Sequence, residues 1–193
     1  MSEEIASLER EIESLKERLA RARHAAAREI VENQLLLTLG GPVALLDLFT
    51  DRTELWVVHN MGKSCPYCTL WADGLNGQLL HLENRAAIVL ISPDPPEVQR
   101  EFATSRNWGF AMASDQDKAF TTAMGFWTDK EGWWPGVSGF QREGDAIYRT
   151  GKAIFGPGDE FCPIWPMMDL LGGDKGWEPE VAYTEPFTGS DRS

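Results

Sequence analysis

The largely apolar run Leu55-Trp56-Val57-Val58-His59-Asn60 leads, after four intervening residues, into Cys65-Pro66-Tyr67-Cys68. A short apolar run of this kind reads as a buried strand. From Pro66 onward the residues suit a helix, with proline tolerated in its first turn. Cys65 therefore falls at a helix N-terminus, where unpaired backbone N–H groups and the helix dipole favour a thiolate and lower the pKa from its free value of about 8.5. Two thiols at this spacing and in this setting form a dithiol redox centre, with Cys65 as the attacking sulfur and Cys68 as the resolving one. A chain that hands a buried strand to a helix at a reactive pair is confined to folds in which strands and helices alternate.

The downstream sequence supplies that alternation. Leu70, Trp71, Leu75, Leu79 and Leu80 keep one helix face apolar as far as His81, with a kink expected where Asp73-Gly74 and Asn76-Gly77 interrupt it. Residues Ala87 to Ile91 read as a second strand, closed by Ser92-Pro93-Asp94-Pro95-Pro96. A helix from Glu97 to Arg106 follows, with Val98 and Phe102 inward. Phe110 to Ala113 suit a third strand, and Gln116 to Met124 a helix capped by Asp115. An aromatic loop bracketed by Phe126-Trp127 and Trp133-Trp134-Pro135 precedes a hairpin of Val137 to Arg142 and Ala146 to Thr150, turning at Glu143-Gly144-Asp145. Pro163 to Leu171 read as a last short helix. The expected domain spans residues 40–172, and the Gly, Pro and acidic residues of 173–193 read as a mobile tail.

Residues 1–39 read differently. Ile5, Leu8, Ile12, Leu15 and Leu19 recur in steps of three and four, the seam of a helix expected from about Ser2 to Leu39, which Gly40-Gly41-Pro42 would end. Such a seam points to a homodimer through a coiled coil. In a parallel pair Glu11 meets Lys16 favourably, but Glu4 meets Glu9 and Arg18 meets Arg23. The small basic cluster of Arg21, Arg23, His24 and Arg28 reads as a solvated helix face.

The composition, 42% hydrophobic and 25% charged, is that of a globular protein, and the formal net charge of −12 argues against nucleic-acid backbones and anionic membranes as partners. No apolar run approaches the roughly 18 to 20 residues of a spanning helix, and the N-terminus is charged where a secretory signal is apolar. The expectation is a cytoplasmic protein, and an odd count of three cysteines suits a reducing compartment better than structural disulfides do. Neither a cofactor nor a metal is called for. The rival from another class is a zinc set of Cys65, Cys68 and Cys162 with His81 or His59, which lacks a second close pair. A third reading is a dimeric interaction module with a non-catalytic dithiol. Thr69 stands where haem attachment requires histidine. Lys63, His59 and His81 are secondary candidates for charge stabilisation or proton transfer, each with a plain surface or packing role as its alternative.

Alternating strands and helices, then a hairpin and a terminal helix, give an α/β fold: a central mixed sheet flanked by helices, with the dithiol where the first parallel strand meets the first helix. That arrangement resembles thioredoxin. Cys65-Pro66-Tyr67-Cys68 also resembles the glutaredoxin tetrapeptide, but the chain lacks a Thr-Val-Pro before its hairpin and the double glycine after it, so glutathione binding is not carried over. A broader resemblance, from about Gly41 to Trp177, rests on Leu45-Leu46-Asp47-Leu48-Phe49, on the stretch from Cys65 to Gly77, and on Gly136-Val137-Ser138. These residues resemble the bacterial thioredoxin-like domain of unknown function DUF899. The resemblance implies a thioredoxin fold with peroxiredoxin-like additions, a charged helical N-terminal arm and a dithiol oxidoreductase activity without an established substrate. The implied partners are a protein disulfide, a small-thiol disulfide or a peroxide, together with a reductant. Pro66, Tyr67, Trp71, Trp134, Pro135 and Gly136 are the candidate rim of a substrate groove. The position of thioredoxin's cis-proline falls near Pro135 or Gly136, which leaves the state of the bond before Pro135 to be read from the structure.

Overall fold

A computed structural model describes residues 2–179. The chain opens with helix α1, Glu3–Ala25, capped by the Ser2 hydroxyl, which accepts the Ile5 N–H. The helix then stops. Ala26 is extended, and residues expected to continue the helix instead form strands β1 (Glu29–Val31) and β2 (Leu35–Thr38). The expected helical arm of residues 1–39 is thus corrected to a helix plus two strands. Gly40-Gly41 is the turn into β3 (Gly41–Ala44), with Gly41 at φ +107°, and Pro42 is tolerated because β3 is an edge strand.

The apolar 55–60 run forms β4 (Glu54–His59), and the dithiol segment opens α2 (Pro66–Asn76). The expected kink is a break at Gly77-Gln78, after which α3 runs from Leu79 to Arg85. Strand β5 (Ala87–Ser92), helix α4 (Pro96–Ser105) and strand β6 (Ala111–Ser114) follow as the sequence predicts. Helix α5 is shorter than expected, Ala119–Ala123. Asp115 still caps it from four residues upstream, accepting N–H groups from Phe120 and Thr121. The aromatic loop contains a two-stranded ribbon, β7 (Trp127–Thr128) with β8 (Gly132–Trp133). The long hairpin is β9 (Gly136–Glu143) with β10 (Ala146–Ile154), and α6 (Ile164–Leu170) is the last element among the described residues. The expected tail lies largely outside the described residues. Within them, Trp177 packs edge-on against Trp165 at 6.4 Å.

One mixed sheet of eight strands, ordered β1-β10-β9-β4-β5-β6-β2-β3, carries the fold. Strands β4, β5 and β6 are parallel; β9 runs antiparallel to β4 with Gly136 opposite His59. Alternate residues separate two cores, as the strand period requires. Val57, Val89 and Ile91 pack with Phe49, Phe120, Phe126 and Phe140 on one face. Val58, Ile88 and Leu90 pack with Trp71, Trp108, Phe155 and Trp165 on the other. Burying each such large side chain contributes about 1.5–3 kcal/mol, so the central strands are held from both sides and the C-terminal end of β4 becomes a rigid platform.

Candidate active site

The dithiol lies at that end of β4. The chain leaves the sheet at Asn60 and is stitched into a tight loop by two side chains. Asn60 Oδ1 accepts the Gly62 N–H at 2.8 Å, and Asp94, on the loop after β5, accepts the Lys63 N–H at 2.7 Å. Gly62 has φ +100°, and a Cβ there would lie 2.9 Å from Asp94 Oδ2, so glycine alone fits beneath the carboxylate. The Cys65 N–H donates to the Gly62 carbonyl at 3.1 Å, which closes the loop onto the start of α2.

Cys65 is the N-cap of α2, and its sulfur accepts the Cys68 N–H at 3.1 Å. The Met61 N–H donates to Cys68 Sγ at 3.4 Å, and Asn60 Nδ2 reaches the Cys68 carbonyl at 3.5 Å. All three cysteines are free. Cys65 is 9% exposed and Cys68 2% exposed, so Cys65 is the more accessible of the pair. The Cys68 thiol, hydrogen-bonded to Cys65, is the main cause that lowers the Cys65 pKa to about 7; burial opposes it and the N–H groups of Cys68 and Tyr67 add to it. The same hydrogen bond, reinforced by burial, raises the Cys68 pKa. The two shifts run in opposite directions, so Cys65 reaches the thiolate form more readily than Cys68 does.

Helix α2 is braced from behind. Asp73 accepts the Trp108 indole N–H at 2.8 Å and the Arg106 Nε–H at 2.9 Å, and Asn76 accepts the Gly109 N–H at 2.8 Å. These bonds tie the dithiol helix to the segment between α4 and β6.

The candidate groove residues divide. Pro66 occupies the first turn of α2, and Tyr67, half-buried, stacks on Trp165 at 6.2 Å. Trp71 is 2% exposed, packed in the core against Phe155, with its indole nitrogen buried and unpartnered among the described residues. Trp134 is 41% exposed, and the buried Pro135 accepts the Phe155 N–H through its carbonyl at 2.9 Å. Gly136 starts β9 opposite His59, which places Pro135-Gly136 at the sheet edge from which the dithiol loop departs. No peptide bond among the described residues is cis, so the Trp134–Pro135 bond is trans. A Cβ on Gly136 would lie 2.3 Å from the Ala153 carbonyl oxygen and 2.4 Å from the Phe126 ring.

His59 and Cys162 fall on opposite faces of the sheet. His59 stacks on Phe126 at 3.7 Å and shares a 3.0 Å hydrogen bond with the Ser138 hydroxyl; burial, with Arg149 and Lys152 nearby, lowers its pKa to about 3. It is a neutral packing ring. Cys162 belongs to the other core, where burial raises its pKa, and His81 is exposed on α3. The described residues hold no group of three or more His, Cys, Asp or Glu able to bind a metal, so the zinc set is not assembled among them. Lys63 is exposed and contributes its backbone N–H.

Asn60 and Asp94 were not singled out from sequence. Asn60-Met61-Gly62 carries an Asx-turn signal, and Asp94 lies in the loop that leaves β5 at the same sheet edge as the dithiol.

Solved structures share this architecture. Reduced Prx3 from Vibrio vulnificus is similar with a TM-score of 0.59 and 17% identity, over 76% of this chain and 98% of that one. The Xanthomonas campestris bacterioferritin comigratory protein, whose structures concern alkyl peroxide reduction, aligns with a TM-score of 0.53 and 20% identity over 65% and 88%. A cysteine-to-serine mutant of PrxQ from Xylella fastidiosa aligns with a TM-score of 0.56 and 14% identity over 77% and 98%. At these identities the likeness establishes a thioredoxin-like fold. No curated protein matches the sequence. The family model for DUF899, bacterial proteins of unknown function, matches residues 2–183, and the chain belongs to that family.

Proposed function

We propose that this protein is a dithiol oxidoreductase that reduces a small peroxide, with Cys65 as nucleophile and Cys68 as resolving thiol. The observation that carries this reading is the N-cap geometry of Cys65, with its sulfur accepting the Cys68 N–H and its pKa lowered to about 7. In the first step the Cys65 thiolate attacks a peroxide oxygen; an S–O bond forms, the O–O bond breaks and the departing oxygen takes a proton. Cys65 becomes a sulfenic acid as the peroxide gains two electrons. Cys68 then attacks Cys65 Sγ, the S–S bond forms, the S–O bond breaks, and water leaves with the Cys68 proton. An external dithiol returns two electrons and two protons to reopen the disulfide.

A peroxide is favoured over a protein disulfide because Cys65 offers little exposed surface and the usual cis-proline position is taken by trans Pro135 and Gly136. The peroxide-reducing relatives in the same fold support that choice. A small disulfide is the second reading, favoured by the CxxC spacing itself. The same reading makes the protein a homodimer through α1, working in the reducing cytoplasm, where its three free thiols persist. Turnover of hydrogen peroxide with a dithiol reductant tests it. Cys65→Ser is expected to abolish consumption, and Cys68→Ser, assayed without the reductant, to stop after one equivalent with Cys65 as a sulfenic acid. Full turnover by Cys65→Ser would refute the assignment.

A further inference from the structure

Helix α1 has no buried residue, and its seam of Ile5, Leu8, Ile12, Leu15 and Leu19 stands 42–52% exposed in a single copy. A helix draws most of its stability in water from a packed apolar face, so this seam calls for a cover. Its charges are polarised. The first half carries Glu3, Glu4, Glu9, Glu11 and Glu13 against Arg10, whereas the second carries Lys16, Arg18, Arg21 and Arg23 against Glu17. At the basic end Arg23 and His24 line a cavity of about 660 Å³ together with Glu54, Arg28 and Arg85. Arg28 is paired with Glu143 and Arg85 with Glu54, so the positive charge left unpaired there among the described residues is that of Arg23. Arg23 also borders an adjoining apolar trough of about 350 Å³ formed by Trp56, Val58, Ile88 and Val137. The side chains of Arg23 and His24 have no hydrogen-bond or ion-pair partner among the described residues.

We infer that the cover is a second copy of this chain, with the two α1 helices antiparallel, so that the acidic half of each lies over the basic root and adjoining trough of the other. This deepens the dimer of the proposed function by naming its direction and its acceptor surface. A parallel pair would set the acidic halves on each other and Arg18 to Arg23 on their own copies, whereas the antiparallel pair satisfies both halves at once. The arrangement is isologous and closed, as a two-fold dimer requires. A helix of 23 residues is about 35 Å long, long enough to reach from one root to the other.

The test is the mass of the full chain by sedimentation, which reads assembly without reference to thiol chemistry. The wild type is expected at twice the chain mass, with a dissociation constant that rises about tenfold or more between low and high salt as the charges are screened. Leu8→Gln, Ile12→Gln and Leu15→Gln together should give a monomer whose Cys65 reacts as in the wild type, which shows an intact fold. Glu4→Arg with Glu11→Arg should weaken the dimer at least tenfold, and so should Arg18→Glu with Arg21→Glu. Both pairs of reversals in one chain should restore it, because acid again faces base in the antiparallel pair. A monomeric wild type, a dimer that tightens with salt, or a combined variant no better than either half would overturn the proposal.

Discussion

At the scale of single residues, the difference between the two sulfurs is set first by the Cys68 thiol beside Cys65 and only then by the backbone N–H groups of the helix end. The Cys68 thiol is the first cause of the low Cys65 pKa, ahead of the backbone N–H groups that the helix terminus supplies. Thiolate is the reactive form, so the alkylation rate of Cys65 is expected to rise with pH to a midpoint near 7. Cys68→Ala removes that thiol and should move the midpoint up toward the free value of about 8.5. Cys68→Ser keeps an O–H donor and should hold the midpoint closer to the wild type. Rates from mass-spectrometric labelling across the range separate the variants, and an unchanged midpoint in Cys68→Ala would assign the shift to the helix end instead.

Among elements, the contrast between β9 and the N-terminal strands shows what pattern alone conveys. Gly136 opens β9 between the Ala153 carbonyl and the Phe126 ring, with no room for a methyl group. Gly136→Ala is therefore expected to destabilise the protein by about 1–3 kcal/mol, the usual cost of overpacking a core. Urea unfolding measures this, and a wild-type midpoint would contradict the packing described. The strand–dithiol–helix unit was legible because β4, the N-cap and the first turn of α2 are all local signals in one short stretch. Strands β5, β6 and the β9–β10 hairpin were legible for the same reason. Strands β1 and β2 were not. Ile30-Val31 and Leu35-Leu36-Leu37 fit a continued helix locally, and what makes them strands is pairing with β10 and β3 and the burial of Leu36. The bracing of α2 by Asp73 with Trp108 and Arg106 was hidden likewise, since it joins residues more than thirty positions apart. Trp71, expected at a groove, instead fills the core against Phe155, because an aromatic on the inward face of an amphipathic helix is drawn to the sheet.

For the molecule as a whole, the thioredoxin-like sheet fixes where the dithiol stands, whereas a substrate for the proposed reaction would be selected by the surrounding surface. Asn60, Asp94 and the dithiol converge at the C-terminal edge of the parallel strands, the place at which open α/β sheets meet their ligands. The charged helix α1, whose Arg23 borders the trough of Trp56, Val58, Ile88 and Val137, is the surface proposed above for assembly. The central claim is that Cys65 and Cys68 act as one two-electron unit. It is tested most directly by equilibrating the protein in glutathione or dithiothreitol buffers of stepped potential, alkylating the remaining thiols and weighing the products. Cys65 and Cys68 should be lost together, in a single transition at or below about −200 mV as for thioredoxin-class dithiols, while Cys162 stays alkylatable after unfolding. A pair that remains fully reduced well above that potential, or a disulfide that forms with Cys162 instead, would contradict the account.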